Sequence, residues 1–316
     1  MHLQAQSNSK SEKSIEYKKL LCPNCKSENI IKKGFRITEN RGKIQRYSCK
    51  DCGLRFVQDN GFYRMRNSPQ KITLCLDLFY RGVPTRKVQE HLQTFYPHNS
   101  SNVSIYKWII KYAKIISNFT NKLKLNVGSE VQVDEVEYHR RKSHKQKRGI
   151  DTNYLIDSVD RKTRFMLNSN YVKSRELKVI KQILKDIKDK TNNKIQVITT
   201  DGFLLYRKVV KKTFGYNLKE GKYNIEHNVV NASAGEGFNH PIERLHNTIR
   251  ARTKTFRGFH GSIDSANAIL KGLSVYYNFI TKHQAINCCP FELACPELKL
   301  KSSNKWLELI ELGSKN

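Results

Sequence analysis

No stretch of this sequence approaches the roughly 18–20 consecutive apolar residues that cross a membrane as a helix, so a membrane-spanning protein is not expected. The N-terminal run MHLQAQSNSKSEKS is polar and lacks the apolar stretch of a signal peptide. A cytoplasmic protein is therefore expected. Acidic residues are scarce as well: 28 Asp and Glu stand against 58 Lys and Arg, for a formal net charge of +30. The shortage runs through the chain. Residues 1–121 hold 22 basic and 8 acidic groups, and residues 122–316 hold 36 and 20. A basic tail on a neutral body is thereby excluded, and the pattern suits a polyanion contacted over an extended surface, DNA or RNA. A lysine-rich background would raise the charge without any function, because net charge speaks of partners and not of fold.

Apolar residues make up 38% and charged residues 27% of the 316, enough for one large domain with a modest core and small accessory modules. Residues 1–20 are polar and expected to be disordered. Four of the eight cysteines form two CxxC pairs, Cys22/Cys25 and Cys49/Cys52, with 23 residues between the pairs. Without a secretory signal, paired CxxC units suggest a metal rather than disulfides. Two tight turns each presenting two thiolates complete a closed tetrahedral site, so residues 21–57 read as a zinc ribbon holding a structural Zn²⁺. The segments NIIKKGFRI and KIQRYSC supply a hairpin turning at 39–42. A redox CxxC is the competing reading, but no neighbouring βαβ pattern supports it. Cys288, Cys289 and Cys295 have no second pair and read as incidental or buried thiols.

Residues 68–122 show helical spacing in three pieces, QKITLCLDLFYRG, PTRKVQEHLQTF and VSIYKWIIKYAKII. Helix, turn, helix, loop and a basic third helix is the layout of a helix-turn-helix. In it Ser104, Tyr106, Lys107 and Lys111 face DNA. A three-helix packing unit without a DNA role has the same pattern. From 128 to 285 strands and helices alternate: EVQVDEVEYH, NYLIDSV and TRFMLNSNYV as strands, a helix capped by Ser174, the strand KIQVITTDG, the helix FLLYRKVVKKTF, then helices from His240 and from Ser262. This order predicts an α/β fold, a ribonuclease-H-like catalytic core preceded by the zinc ribbon and an all-α helix-turn-helix domain. Residues 286–316 read as a C-terminal tail.

Cleaving or joining phosphodiesters by a two-metal route needs clustered carboxylates that hold two Mg²⁺ (or Mn²⁺) ions. Asp134 sits midway along the first strand, in VQVDEVEY, and Asp201 closes a later one, in VITTDG. Neighbouring strands would bring both to one end of the sheet, the usual place for α/β sites. Either alone has a plain explanation, Asp134 as an exposed strand acid and Asp201 as the cap of the next helix. Glu135 and Glu137 are rivals to Asp134, although alternation sends their side chains to the other face. On the helix from His240, the residues Glu243, His246, Asn247, Arg250 and Lys254 follow one face, which offers a carboxylate and then a cationic track. A solvated helix face would look the same.

In this order the segments LFYRGVPTRKVQEHL, VSIYKWIIKYAK, VQVDEVEY, VITTDG, NHPIERLHNTIRARTKTFRGF and YYNFITKHQAI resemble DDE transposases, most of all the insertion-sequence-six family of bacterial and archaeal elements. The likeness runs from about residue 70 to residue 295. It implies an enzyme that binds the inverted ends of its element, nicks the 3′ ends with water and uses the freed 3′-OH to attack target DNA. By motif position Asp134, Asp201 and Glu243 are the three acids, and Arg250 matches the basic residue seven positions after the third. The family commonly leaves 34 residues between its second and third acids, whereas 41 separate Asp201 from Glu243. Glu236 falls at the 34-residue spacing but sits between glycines, so an insertion in KEGKYNIEHNVVNASAG is the preferred account. His246 either orients a ligand or phosphate, or bonds locally. The basic run HRRKSHKQKRG, with Arg140 and Arg141, and the cations Arg252, Lys254 and Arg257 are expected at phosphates. Joining two ends implies a homodimer or higher oligomer. A non-catalytic zinc-ribbon regulator and a ribonuclease-H-type nuclease are the competing functions.

Overall fold

A computed structural model of the chain describes residues 20–96, 100–138, 140–141, 150–151, 153–192, 194–230, 240–255, 259 and 262–315. The segment expected to be disordered at the N-terminus (up to 19), Glu236, Arg257 and most of HRRKSHKQKRG lie outside these residues.

The ribbon is a three-stranded antiparallel sheet, β1 (Ile30–Thr38), β2 (Gly42–Cys49) and β3 (Arg55–Val57), in that spatial order. The hairpin is where the alternation places it. The short β3 is an addition, held by stacking of Phe56 on Tyr47 with ring centroids 5.8 Å apart. Three helices follow: α1 (Pro69–Tyr80), α2 (Thr85–Phe95) and α3 (Asn102–Thr120). Ser68 and Ser101 cap α1 and α3 by accepting from the N–H of Lys71 and Ser104.

The central sheet has five strands in the order β12-β9-β4-β7-β8. They are β4 (Glu130–Glu137), β7 (Tyr154–Asp160), β8 (Met166–Val172), β9 (Val197–Thr200) and β12 (Glu226–Val229). The first three are antiparallel neighbours; β9 runs parallel to β4, and β12 parallel to β9. Two-residue ladders form beside it, β5 (Arg140–Arg141) with β6 (Ile150–Asp151) and β10 (Tyr216–Asn217) with β11 (Lys222–Tyr223). Helices α4 (Leu177–Lys190), α5 (Leu204–Phe214), α6 (His240–Thr255) and α7 (Ile263–Val275) pack around the sheet. This is the ribonuclease-H-like α/β core behind a four-cysteine ribbon and an α-helical segment.

Four features differ from the sequence pattern. Helix α4 starts at Leu177 with Glu176 at its N-cap and no side-chain cap, not at Ser174. The preceding residues run extended because Arg175 is drawn to the sheet. Strand β12 lies within the stretch assigned to an insertion, so part of that stretch belongs to the core sheet. The helix from Ser262 ends at Val275 and continues as a π-helical turn, Tyr276–Ile280. Its Asn278 side chain accepts from the Met166 N–H (2.8 Å) and donates to the Met166 carbonyl (2.9 Å). Asn267 does the same at Tyr171, so two amides on one helix occupy the open edge of β8, which would otherwise offer unpaired backbone.

The fourth difference is the C-terminal segment. It forms α8 (Pro290–Ala294) and α9 (Lys305–Lys315), and α9 buries Trp306, Leu309 and Ile310 against α1 and α3. The Trp306 indole donates to Asp77 (3.2 Å) and its ring stacks on Tyr80. One continuous apolar core therefore joins α1–α3 to the central sheet through α7 and α9. The contact of α7 with this layer is close: a Cβ on Gly272 would overlap the Tyr80 hydroxyl and press on Ala113. That hydroxyl is buried without a partner. Gly272→Ala is expected to lower stability by about 1–3 kcal/mol through overpacking. Only part of this should be regained in a Tyr80→Phe background, since the ring carbon Cζ, which the added Cβ would also overlap, remains, as a double-mutant cycle by chemical denaturation would show.

Candidate active site

The parallel register of β4 and β9 pairs Glu130 with Val197 and Gln132 with Thr199. The same offset sets Asp201 beside Asp134, one residue after β9 ends at Thr200. Asp134, Glu135 and Asp201 each bring a carboxylate oxygen within 4.8 Å of the others. Strict alternation sends Glu135 away from Asp134, yet the structure gathers it in. The reason is the end of β9, since beyond Thr200 the edge of β4 is open and a glutamate can fold around it. The Tyr206 hydroxyl on α5 holds Glu135 Oε2 at 2.5 Å, and Arg175 holds Oε1 at 3.1 Å.

Burial governs the electrostatics here. It raises the Asp134 carboxyl to about 6, with His246 opposing the rise and Asp201 adding to it. Burial also raises Glu135, opposed by the Tyr206 hydrogen bond and helped by the Asp201 charge. Three clustered acids, two of which resist ionisation, form a donor set suited to a hard, oxygen-seeking divalent cation such as Mg²⁺. Arg175 supplies part of the compensating charge. Its guanidinium lies between the rings of Phe203 (4.4 Å) and Tyr154 (4.9 Å) and donates to Glu135.

Glu243 sits in the first turn of α6, half-buried and outside the 4.8 Å cluster. The helix is fixed to the sheet near Asp134, because the Ile242 N–H donates to Gln132 Oε1 (3.3 Å). His246 is buried, 4% exposed, and faces Asp134 (3.6 Å) and Asp157 on β7 (3.1 Å). It presents no surface to DNA, which its place on the polar track of α6 had suggested.

Arg250 and Lys254 are exposed on α6, as are Lys107 and Lys111 on α3. Tyr106 is half-buried and packs on the core. Arg140 and Arg141 lie in β5, and their side chains are outside the described set. Arg252, expected at phosphates, instead donates to the Arg81 carbonyl (2.7 Å) and lies over the Tyr276 ring, which ties α6 to α1.

At the far end of the chain the four ribbon cysteines form a second cluster. Cys22 and Cys52 sulfurs are 3.5 Å apart, as are those of Cys25 and Cys49, and all four lie within 4.8 Å. A tetrahedral ion with bonds of about 2.3 Å to sulfur needs edges of about 3.8 Å, so the spacing fits zinc and is too long for disulfides. The two knuckles match in detail: Lys26 and Gly53, each following the second cysteine of its pair, both take positive φ.

Sequence reasoning missed Asp157, Arg175 and Tyr206. Asp157 carried a signal, an acid inside the apolar run NYLIDSV. Arg175 and Tyr206 carried none, because their roles arise from strand and helix packing.

Compared with known protein families, residues 131–284 match one described as a DDE domain, of the transposase IS240 type. No curated protein matches the chain.

Proposed function

Residues 131–284 being a DDE domain of the IS240 transposase type, we propose that the chain is a metal-dependent DNA transposase that cleaves the 3′ ends of a mobile element and joins them to target DNA. A DDE transposase domain implies the phosphodiester chemistry itself. The observation that carries the finer reading is the convergence of Asp134 and Asp201 at the open edge of β4, within the matched segment.

In this reading Asp134, Asp201 and Glu243 hold two Mg²⁺ (or Mn²⁺) ions. Bound there, the ions supply Lewis-acid stabilisation of the attacking and leaving oxygens. Asp134 and Asp201 fix the centre from the rigid sheet. Glu243 enters from α6, three residues and so about one helical turn before His246. Both oxygens of Glu135 are already engaged by Tyr206 and Arg175, which favours Glu243 as the third ligand. Arg175 and the exposed Arg250 and Lys254 offset phosphate charge near the centre, and Lys107 and Lys111 on α3 grip the element end. Tyr106 braces that helix from its half-buried side. Arg140 and Arg141 extend the basic track beyond β4. The four-cysteine ribbon, with Zn²⁺ in place, adds a second DNA contact. Two element ends must be held together for joining, so the working form is a homodimer or a higher oligomer.

The test is incubation of the full chain with Mg²⁺, a labelled duplex carrying the element end and a target plasmid. Joined products support the proposal. Binding without nicking would indicate a regulator, and cleavage confined to RNA–DNA hybrids a nuclease. The third acid has its own test. Glu243→Ala should eliminate joining, and Glu236→Ala should leave it close to wild type. The reverse pattern would move the assignment to Glu236.

A further inference from the structure

Among the described residues, Asp157 is the fully buried acid that sits directly across from a proposed metal ligand. It is 0% exposed and lies on β7 directly across from Asp134 in the antiparallel register. Residues paired this way share a face of the sheet, so both carboxylates meet α6. His246 stands between them, with Nε2 3.1 Å from Asp157 Oδ2 and Nδ1 3.6 Å from Asp134 Oδ2. Neither Asp157 oxygen has an aligned hydrogen-bond partner, so the approach to Nε2 is close without being a formed hydrogen bond. A carboxylate removed from water with only an imidazole beside it is costly, and folding alone favours an amide or an apolar residue there. Asp160, three positions along the same strand and equally buried, shows the contrast: it accepts from Gly128, Thr163 N–H and the Thr163 hydroxyl.

We propose that Asp157 is a positioning residue that, through His246, orients the Asp134 carboxylate and seats the turn of α6 carrying Glu243. This inference rests on the reading of Asp134 as a metal ligand. The geometry supports it from both sides. Asp134 Oδ1 accepts the Glu135 N–H at 2.9 Å, which leaves Oδ2 turned towards the ring. Asp157 at Nε2 keeps the imidazole from turning over, so Nδ1 stays aimed at that oxygen. A gap of 3.6 Å is the loose spacing that catalytic groups commonly show before their ligand arrives. Glu243 and His246 lie three residues apart on one helix, so the anchor that fixes the ring also fixes the rotation of the helix.

The experiment is a Mn²⁺ titration of the full chain, zinc retained and DNA absent, followed by electron paramagnetic resonance. Wild type should bind and Asp134→Asn should not. Asp157→Asn keeps the shape and removes the buried charge. It should weaken Mn²⁺ by about 10–100-fold, the usual effect of losing a partner behind a metal ligand. Its thermal midpoint should stay the same or rise. In the joining assay its kcat should fall while KM for the DNA end holds. Mn²⁺ affinity within twofold of wild type would overturn the proposal. If Asp157→Asn unfolds, His246→Gln decides: its amide replaces Nε2 and leaves Nδ1 empty, so weaker Mn²⁺ supports the proposal and unchanged Mn²⁺ defeats it. Equal binding by wild type and Asp134→Asn would bring down the metal-centre reading, and this inference with it, a result distinct from failure of the Asp157 variant alone.

Discussion

Asp134→Asn and Asp201→Asn should each reduce end cleavage and joining by on the order of 10³-fold or more, with binding to the element end within about twofold of wild type. A metal ion that neutralises charge in the transition state is worth several kcal/mol, and each 1.36 kcal/mol is a factor of ten in rate. Losing either aspartate removes a ligand fixed by the β4–β9 register, and no other side chain in the cluster is free to replace it. Glu135 is committed to Tyr206 and Arg175. DNA binding should survive because neither substitution alters the exposed cations of α3 and α6. Quantitative gel assays with Mg²⁺ for chemistry, and with Ca²⁺ for binding, separate the two. A variant that still joins ends would place the centre elsewhere.

The same substitution has an effect on folding with the opposite sign. Without a metal, burial pushes the Asp134 carboxyl up from 3.8 to about 6. The folded state thus binds this proton more tightly than the unfolded state. Ionised Asp134 costs stability above pH 6, and the cost is progressively relieved as pH falls towards 4. Asp134→Asn should be more stable than wild type at pH 7.5 without added Mg²⁺, with the difference shrinking at pH 5. Catalysis and apo stability then trade against each other at one residue.

How much of this site could be read from the sequence depends on what each residue's role requires. Asp134 and Asp201 mark strands, and a strand's polarity and end are written in local alternation and in the glycine that follows. Their meeting needed only two parallel neighbours. Glu135 was misplaced because alternation describes a strand with partners on both sides, and β4 loses one at Thr200. Strand β12 escaped notice because an edge strand of four residues, EHNV, half exposed, has too little apolar content to stand out. Helix α9 looked like a tail for a related reason: its apolar face is short, and it is the packing against Tyr80 and α3 that makes it part of the core. Arg175 and Asp157 depend on contacts between elements far apart in the chain. No local pattern encodes those.

Removing the ribbon's metal should unfold residues 21–57 while the rest of the chain remains folded. The ribbon's interior is slight. Strand β1 is exposed along nearly its whole length, with Phe35 and Ile37 at 53% and 82%, and the only fully buried apolar-class residues of the sheet and its knuckles are Cys22 and Cys49. Three short strands with one aromatic pair cannot offset the ordering cost of some 37 residues, roughly 1–2 kcal/mol each before any gain. Coordination by four thiolates contributes on the order of 10 kcal/mol, which is the difference between a folded and an unfolded module. The catalytic core has no such dependence, since its apolar cluster begins at Phe62. Chelation, or Cys49→Ser, should therefore abolish amide protection in β1–β3 on hydrogen exchange and leave β4, β7 and β9 protected. Elemental analysis should give one zinc per chain, lost in the variant. Affinity for the element end should fall, with a shallower salt dependence as the ribbon's lysines and arginines drop out, whereas Mn²⁺ binding at the carboxylates should persist. Protection in β1–β3 that survives complete zinc loss would show that the ribbon is held by its strands, and would reduce the four cysteines to passengers.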